Sequence, residues 1–234
     1  MKPIFTLIFL VALLITTPVQ AGGKDDPVLS KVMINQLEKR YTDGKDPLIL
    51  EADAWIGQDL NKVWFKVHAE HVNDKLEELE LQALYNRAVD PYWDLQIGWR
   101  HDNKPSPQRD WFAIGVKGLA PYWFETDAAL FIGGNGQANA RVSMEYEWML
   151  TQQWVLSPEV EADLYSDSDP AHHIGSGLSK VQAGLRLRYE IKREFAPYIG
   201  VNWTGKFGDT ADLARAAGND PRDLQFVVGM RAWF

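Results

Sequence analysis

The final segment of the chain, 224–234, alternates between apolar and other side chains and ends on an aromatic residue. Successive side chains of a strand point to opposite faces, so one face of this segment is wholly apolar. That face comprises Leu224, Phe226, Val228, Met230, Ala232 and Phe234. An apolar face of this kind is typical of the closing strand of an outer-membrane β-barrel, where lipid-facing and lumen-facing residues alternate.

The first residues have the organisation of a secretory signal. Lys2 precedes an apolar run over 4–15, and Ala21 completes a small-residue cleavage site. We expect residues 1–21 to be a signal peptide, 22–30 a short N-terminal segment and 31–234 an outer-membrane β-barrel. No later stretch approaches the roughly twenty apolar residues that a membrane-spanning helix needs.

Composition supports alternating strands. The chain is 46% hydrophobic and contains 10 Trp, 10 Phe and 8 Tyr, yet its mean hydropathy is −0.28. The formal net charge of −8 argues against a nucleic-acid partner. Since the chain has no Cys, disulfides and thiolate metal sites are excluded, and a soft metal would depend on His, Met and carboxylate.

Period-two patterning predicts about twelve strands, an even number that suits a single-chain bacterial barrel with both termini in the periplasm. The predicted strands are 31–40, 48–57, 62–71, 78–89, 92–101, 110–118, 124–133, 138–149, 154–165, 179–192, 195–207 and 223–234.

Connection lengths support this count. Short turns follow the even strands, as at Asp90-Pro91, and longer loops such as 166–178 and 208–222 follow odd strands, although 134–137 is short. Such barrels have short periplasmic turns and longer extracellular loops. The alternatives are a soluble β-sandwich and a periplasmic lipocalin-like barrel, but a soluble barrel would turn its polar residues outward.

Tryptophan positions indicate membrane interfaces, because an indole has an apolar body and one donor suited to the headgroup level. The alternative is that they form the core of a soluble protein. Predicted periplasmic strand ends carry Trp93, Trp123, Trp148, Trp154 and Trp233, and outer ends carry Trp99, Trp111 and Trp203.

Several long segments, in order, resemble the CopB-type copper resistance outer-membrane proteins. The resemblance implies an outer-membrane barrel that binds copper ions and helps a Gram-negative bacterium survive excess copper by sequestration or export. It also implies a periplasmic copper-binding protein as a partner, beside the lipid of the membrane. The similar segments are 34–38 (INQLE), 98–102 (GWRHD), 118–128 (GLAPYWFETDA), 150–165, 174–179 (IGSGLS), 185–201 and 207–218.

One feature departs from that family. Its members often carry a Met- and His-rich segment before the barrel, whereas 22–30 reads GGKDDPVLS. Thioether and imidazole groups are donors that copper favours. Without them, the barrel itself must supply any copper site.

Strand parity predicts a lumen crowded with charge, including one carboxylate–imidazole pair. Folding 48–57 against 62–71 places Asp53 opposite Lys66 and Glu51 opposite His68. A carboxylate beside an imidazole suits Cu(II), which accepts nitrogen and oxygen donors. The alternative is a plain ion pair between Glu51 and a protonated His68.

A second group forms across the turn 150–153, where Glu145 is expected near Glu159. Directly opposed like charges destabilise a sheet unless a cation lies between them. We expect arginine to supply that cation, either Arg186 and Arg188 on the next strand or Arg141 on the same one, because guanidinium groups pair well with carboxylates. A passing metal ion is the alternative, so Glu145 and Glu159 remain candidate ligands.

Two adjacent histidines, His172 and His173, lie in the loop 166–178, where they could catch a metal ion, although neighbouring residues on such loops often have no role. His101 is expected on the lipid-facing register at the rim, and His71 at a strand end. With five His in the chain, a dedicated high-affinity cluster is not expected.

We predict no catalytic residues and no organic cofactor. An outer-membrane hydrolase would need a nucleophile within reach of an oriented base, but no Ser lies in a G-x-S-x-G motif and Ser143 is expected far from any His. A general small porin with a charged lumen is the stronger alternative to a copper protein.

Overall fold

The structure is a computed structural model that describes residues 26–42, 44 and 46–234. The predicted signal peptide 1–21, and 22–25 of the segment after it, lie outside the described residues. Within the described ranges, no helix is long and apolar enough to cross a membrane.

In the described residues, twelve antiparallel strands and one short α-helix follow one another. The strands are β1 Leu29–Tyr41, β2 Leu48–Gly57, β3 Asn61–Val72, β4 Lys75–Asp90, β5 Trp93–Lys104, β6 Arg109–Ala120, β7 Phe124–Gly133, β8 Ala138–Glu145 continued by Trp148–Met149, β9 Trp154–Tyr165, β10 Gly177–Tyr189, β11 Phe195–Lys206 and β12 Arg222–Trp233. The helix α1 covers Gly208–Ala216, between β11 and β12.

The sheet closes on itself. Each strand pairs with its neighbours in sequence, and β1 also pairs with β12, where Met33 lies opposite Trp233. This confirms the predicted single barrel of about twelve strands. The bounds of β4, β5 and β10 differ from the predicted ones by up to three residues at one end, and β8 is interrupted at 146–147.

Side chains alternate between the outer surface and the interior. In β12, Leu224 and Phe226 are exposed on the outside, whereas the adjacent Val227 is fully buried. Exposed apolar side chains on the outer face of a barrel strand suit contact with lipid tails. The closing strand therefore has the lipid-facing side that its sequence predicts.

A β-bulge in β1 changes which residues face inward. The pairing of β1 with β12 shifts register between Ile34 and Leu37, and an extra residue in a strand reverses the parity of those after it. As a result, Gln36, Glu38 and Arg40 are buried inside the barrel.

The prediction that Trp111 lies at the outer membrane interface is wrong. Trp111 is buried inside the barrel, and its Nε1 donates a hydrogen bond to Asp102 at 2.9 Å. Together with Trp64 and Phe131 it belongs to an apolar cluster within the lumen. Because Trp111 shares the strand parity of Lys117, its inward direction follows from the same alternation.

Candidate metal site in the barrel lumen

The barrel lumen contains a cavity of about 520 Å³. Its lining is contributed by strands from all around the barrel, and nearly half of the lining residues are acidic or basic. Glu51 and His68 line one wall, and Glu145, Glu159 and Glu161 line the opposite region. The side chains that the sequence predicts as lumenal ligands therefore share one chamber.

Several ion pairs and hydrogen bonds cross this lumen between strands that are not neighbours. Lys66 on β3 bonds Asp127 on β7, with three strands between them. Gln36 on β1 donates to Glu159 on β9 at 2.8 Å, again across three strands. These contacts subdivide the lumen. The lumen is narrow because the diameter of a barrel grows with its number of strands, and this barrel has only twelve.

Glu51 and His68 face each other as predicted, in register across the β2–β3 hairpin. Glu51 Oε1 lies 3.2 Å from His68 Nδ1. Among the described residues, Nε2 of His68 has no hydrogen-bond partner. The Glu51 side chain is 34% exposed and the His68 side chain is 25% exposed, so water and ions in the cavity can reach both.

Two further carboxylates lie near this pair. Glu51, Glu159 and Glu161 line one small recess of the lumen. Glu159 accepts hydrogen bonds from Arg186 at 2.7 Å and from Gln36. Glu161 makes no salt bridge with any described residue. Within the described part of the chain, no three ligand-type side chains are already grouped as a metal site.

The second predicted group is held by arginines. Glu145 lies opposite Glu159 in the pairing of β8 with β9, as predicted. Arg188 reaches Glu145 at 3.4 Å, and Arg186 reaches Glu159 at 2.7 Å. The expectation that arginine pairs with these carboxylates is confirmed, and Arg186 and Arg188 supply the guanidinium groups. A metal ion bound there would have to displace a guanidinium group.

Arg186 is itself fixed by a carboxylate that the sequence analysis missed. Glu38 is fully buried and accepts hydrogen bonds from Arg186, from Arg40 at 2.7 Å and from the Tyr198 hydroxyl at 2.9 Å. Two positive groups and a hydroxyl compensate for the burial of one carboxylate. The guanidinium that meets Glu159 is therefore rigidly placed.

The two loop histidines differ in their surroundings. His172 is buried, with Nδ1 2.7 Å from Asp169 Oδ2 and Nε2 2.7 Å from the carbonyl oxygen of Pro107. Each ring nitrogen of His172 is therefore hydrogen-bonded, and neither nitrogen is available to bind a metal ion. His173 is exposed and follows with a left-handed backbone, φ 57°. The loop does not present the two rings as one chelating pair.

His101 lies at the rim on the outer surface, where its ring stacks on Trp99 at 5.3 Å and its Nδ1 lies 2.8 Å from Asp110. His71 lies near the outer end of β3, opposite Leu48. Among the described histidines, His68 alone lines the cavity.

A family model described as "Copper resistance protein B precursor (CopB)" matches residues 28–234. The chain belongs to the copper resistance protein B family. The match covers every strand of the barrel, so the resemblance predicted from its segments is confirmed.

Two curated CopB relatives agree with this assignment. Copper resistance protein B of Escherichia coli is 40% identical over 210 residues, which cover 90% of this chain and 71% of the relative. The Copper resistance protein B homolog of Pseudomonas syringae pv. tomato is 39% identical over the same shares of the two chains. This CopB-family chain therefore has a role in copper resistance.

Solved structures with a similar fold are outer-membrane porins. The NanC porin superposes with a TM-score of 0.57 at 9% identity, covering 87% of this chain and 99% of the other. The KdgM porin superposes with a TM-score of 0.52 at 12% identity, covering 88% of this chain and 99% of the other. Together with the CopB family, this fold establishes an outer-membrane β-barrel.

Glu38 and Glu80 are the central lumenal residues that sequence reasoning missed. Glu80 follows the plain alternation of β4, where it shares the parity of Gln82 and Asn86. Glu38 lies beyond the bulge, and the signal for that bulge is the spacing of Ile34 and Leu37, which breaks the even apolar period.

Proposed function

We propose that this CopB-family barrel binds copper ions in its lumen and thereby contributes to copper sequestration or export. The observation that carries the proposal is the Glu51–His68 pair, 3.2 Å apart and open to the cavity. Copper is the cargo of this site, and no organic cofactor is needed.

The donor chemistry fits Cu(II). Imidazole nitrogen and carboxylate oxygen are donors that suit this ion. When Nδ1–H is donated to Glu51, the lone pair of the neutral ring lies on Nε2, which is free to bind a metal. Glu51 would then either bind copper through its second oxygen or orient the ring.

Further donors are available across the lumen. Glu161 makes no salt bridge with the described residues and shares a recess with Glu51. Glu145 and Glu159 could join only if Arg188 or Arg186 moved away. An exposed His173 could take up an ion at the outer surface, while His172 would first have to break its two hydrogen bonds.

A general porin is the second candidate function, since the fold is shared with porins. Contacts across the lumen count against a wide open pore, because Lys66 on β3 and Asp127 on β7 join parts of the wall that have three strands between them. A copper site requires only that ions enter the cavity. Conductance without metal preference would favour the porin.

Copper binding is tested by titrating the barrel, folded in detergent, with Cu(II), Cu(I) and Zn(II). A ligand that binds the folded state raises apparent stability by mass action. We expect saturable copper binding, with zinc as the metal control. His68→Ala should abolish it, whereas His101→Ala, which removes the same residue type from the outer surface, should leave it intact.

The proposal fails if copper binds no more strongly than zinc, or if a folded His68→Ala variant binds copper as the parent does. A periplasmic copper-binding protein is the expected partner. Addition of copper as a complex with such a carrier would test whether handover is required.

A further inference from the structure

The two ends of the lumen differ. The cavity extends to the end of the barrel that carries the short turns, where Pro91, Tyr92 and Leu119 line it. Arg231, near the end of β12, lines it as well. None of the described residues in the long loops 105–108, 166–176 and 207–221 lines this cavity.

At the other end, five charged side chains form what we call the charged plug: Glu80, Arg100, Asp102, Arg141 and Asp163. Arg100 lies 2.8 Å from Glu80 and 2.7 Å from Asp102. Arg141 bridges Glu80 and Asp163, at 3.0 Å to each. Glu80, Arg100, Asp102 and Asp163 are each 4% exposed or less.

The plug crosses the barrel instead of following its wall. Glu80 lies on β4 and Arg141 on β8, with three strands between them. Trp111 and Phe131 pack inside the barrel beside it, and the guanidinium carbon of Arg100 lies 4.6 Å from the Phe131 ring centroid. An ion passing outward would have to separate buried pairs, which is energetically costly.

The loops 105–108 and 166–176 cover the charged plug on its outer side, and we call these two loops the lid. His172 of the β9–β10 loop reaches the carbonyl of Pro107 in the β5–β6 loop at 2.7 Å. Arg109 joins lid to plug, because it lies 3.0 Å from Asp102 and 3.4 Å from Asp169. The β9–β10 loop therefore spans the mouth between distant strands.

The same loop is fastened on its other side by α1. The Thr210 hydroxyl accepts a hydrogen bond from the backbone N–H of Gly175 at 2.8 Å and shares one with Ser179 at 2.9 Å. Both Thr210 and Ser179 are buried. Buried, satisfied polar contacts of this kind rigidify the segments that they join.

We propose that the barrel is a one-ended chamber. Its lumen exchanges ions and small polar solutes with the periplasm, and the charged plug and the lid seal it from the cell exterior. Any cation that reaches His68 therefore arrives from the periplasmic side. In this conformation the chamber holds ions and does not release them outward.

The test uses reactive thiols, since the chain has no Cys of its own. Ser143→Cys places a thiol in the cavity, which we call the lumenal thiol. Gln152→Cys, on an exposed short turn, gives a periplasmic thiol. Gly134→Cys gives an outer thiol, at a position where a Cβ meets no atom within 4 Å. The periplasmic or the outer thiol is combined with the lumenal thiol in full chains reconstituted in sealed vesicles.

The freshly reduced vesicles are treated from outside with a small, permanently charged, membrane-impermeant thiosulfonate, and mass spectrometry counts labels per chain. Barrels insert in either direction, but both thiols of one barrel report the same orientation. We expect chains with the lumenal and periplasmic thiols to carry no label or two labels. Chains with the lumenal and outer thiols should carry one label.

Labelling of the lumenal and outer thiols on the same chain overturns the proposal, as does a lumenal thiol that never reacts. In a further variant, Arg141→Ala and His172→Ala together remove one member of the plug and one of the lid. The lumenal thiol should then react from both ends, and unchanged one-sided labelling of this folded variant would overturn the seal. Because no copper is added, the result is independent of the proposed copper binding.

Discussion

Arg186 on β10 donates two hydrogen bonds to Glu38 on β1, from Nε to Oε2 at 2.9 Å and from Nη2 to Oε1 at 3.0 Å. Two strands lie between these residues in the closed sheet. The contact therefore connects two strands that are not neighbours in the sheet. It fixes the position of the guanidinium group that also pairs with Glu159. Glu38 and Glu159 are therefore linked through one buried guanidinium group.

Glu38→Ala is expected to destabilise the barrel by about 3–5 kcal/mol, because removal of one partner leaves buried guanidinium charge uncompensated. The free energy of unfolding in urea, measured in detergent or lipid, checks this. Asp212→Ala serves as the control, since its salt bridge to Arg215 is largely exposed and should contribute little. Equal stability of the two variants would show that the Glu38 contact is not important.

Glu51→Gln is expected to weaken copper binding about 10–100-fold while retaining it, because loss of a carboxylate beside a metal-binding histidine lowers affinity by that order. Glu190→Gln removes a carboxylate at a distant strand end and should leave affinity unchanged. Calorimetric titration with Cu(II) measures both. If Glu51→Gln leaves the copper affinity unaltered, the copper site does not include this pair.

Copper affinity is expected to fall as the solution is acidified from about pH 7.5 to about pH 5. A metal-binding imidazole must be neutral, so protons compete with copper and binding releases a proton. Proton uptake or release during titration in buffers of different ionisation enthalpy measures this linkage. A pH-independent affinity would argue against a histidine ligand.

Val228→Lys is expected to cost about 2–4 kcal/mol of stability, because Val228 lies on the outer face of β12 near its middle, and a lysine there would meet lipid hydrocarbon. Val228→Ala is the matched control, since it shortens the side chain without adding charge. Unfolding in lipid vesicles gives both values. A small loss for both variants would contradict the lipid-facing assignment.

Alternation and connection length were sufficient to predict the closed barrel. Segments such as 48–57, 124–133 and 154–165 have the predicted bounds because turn residues end them sharply. The Glu51–His68 and Glu145–Glu159 pairings also follow from parity, since a short turn fixes the register of a hairpin.

Contacts across the lumen could not be predicted in the same way. The pairs Lys66–Asp127 and Arg141–Glu80 join strands far apart in the sheet, so they depend on barrel width and side-chain reach, which local periodicity does not contain. Glu38 was missed for a different reason, because the bulge in β1 reverses parity. The loop contacts of His172 likewise depend on tertiary folding.

The most direct test of copper binding at His68 is electron paramagnetic resonance of the folded barrel with one equivalent of Cu(II). Coupling to an imidazole nitrogen is expected in the parent and in His101→Ala, and its loss is expected in His68→Ala. Nitrogen coupling that persists in a folded His68→Ala variant would contradict the account.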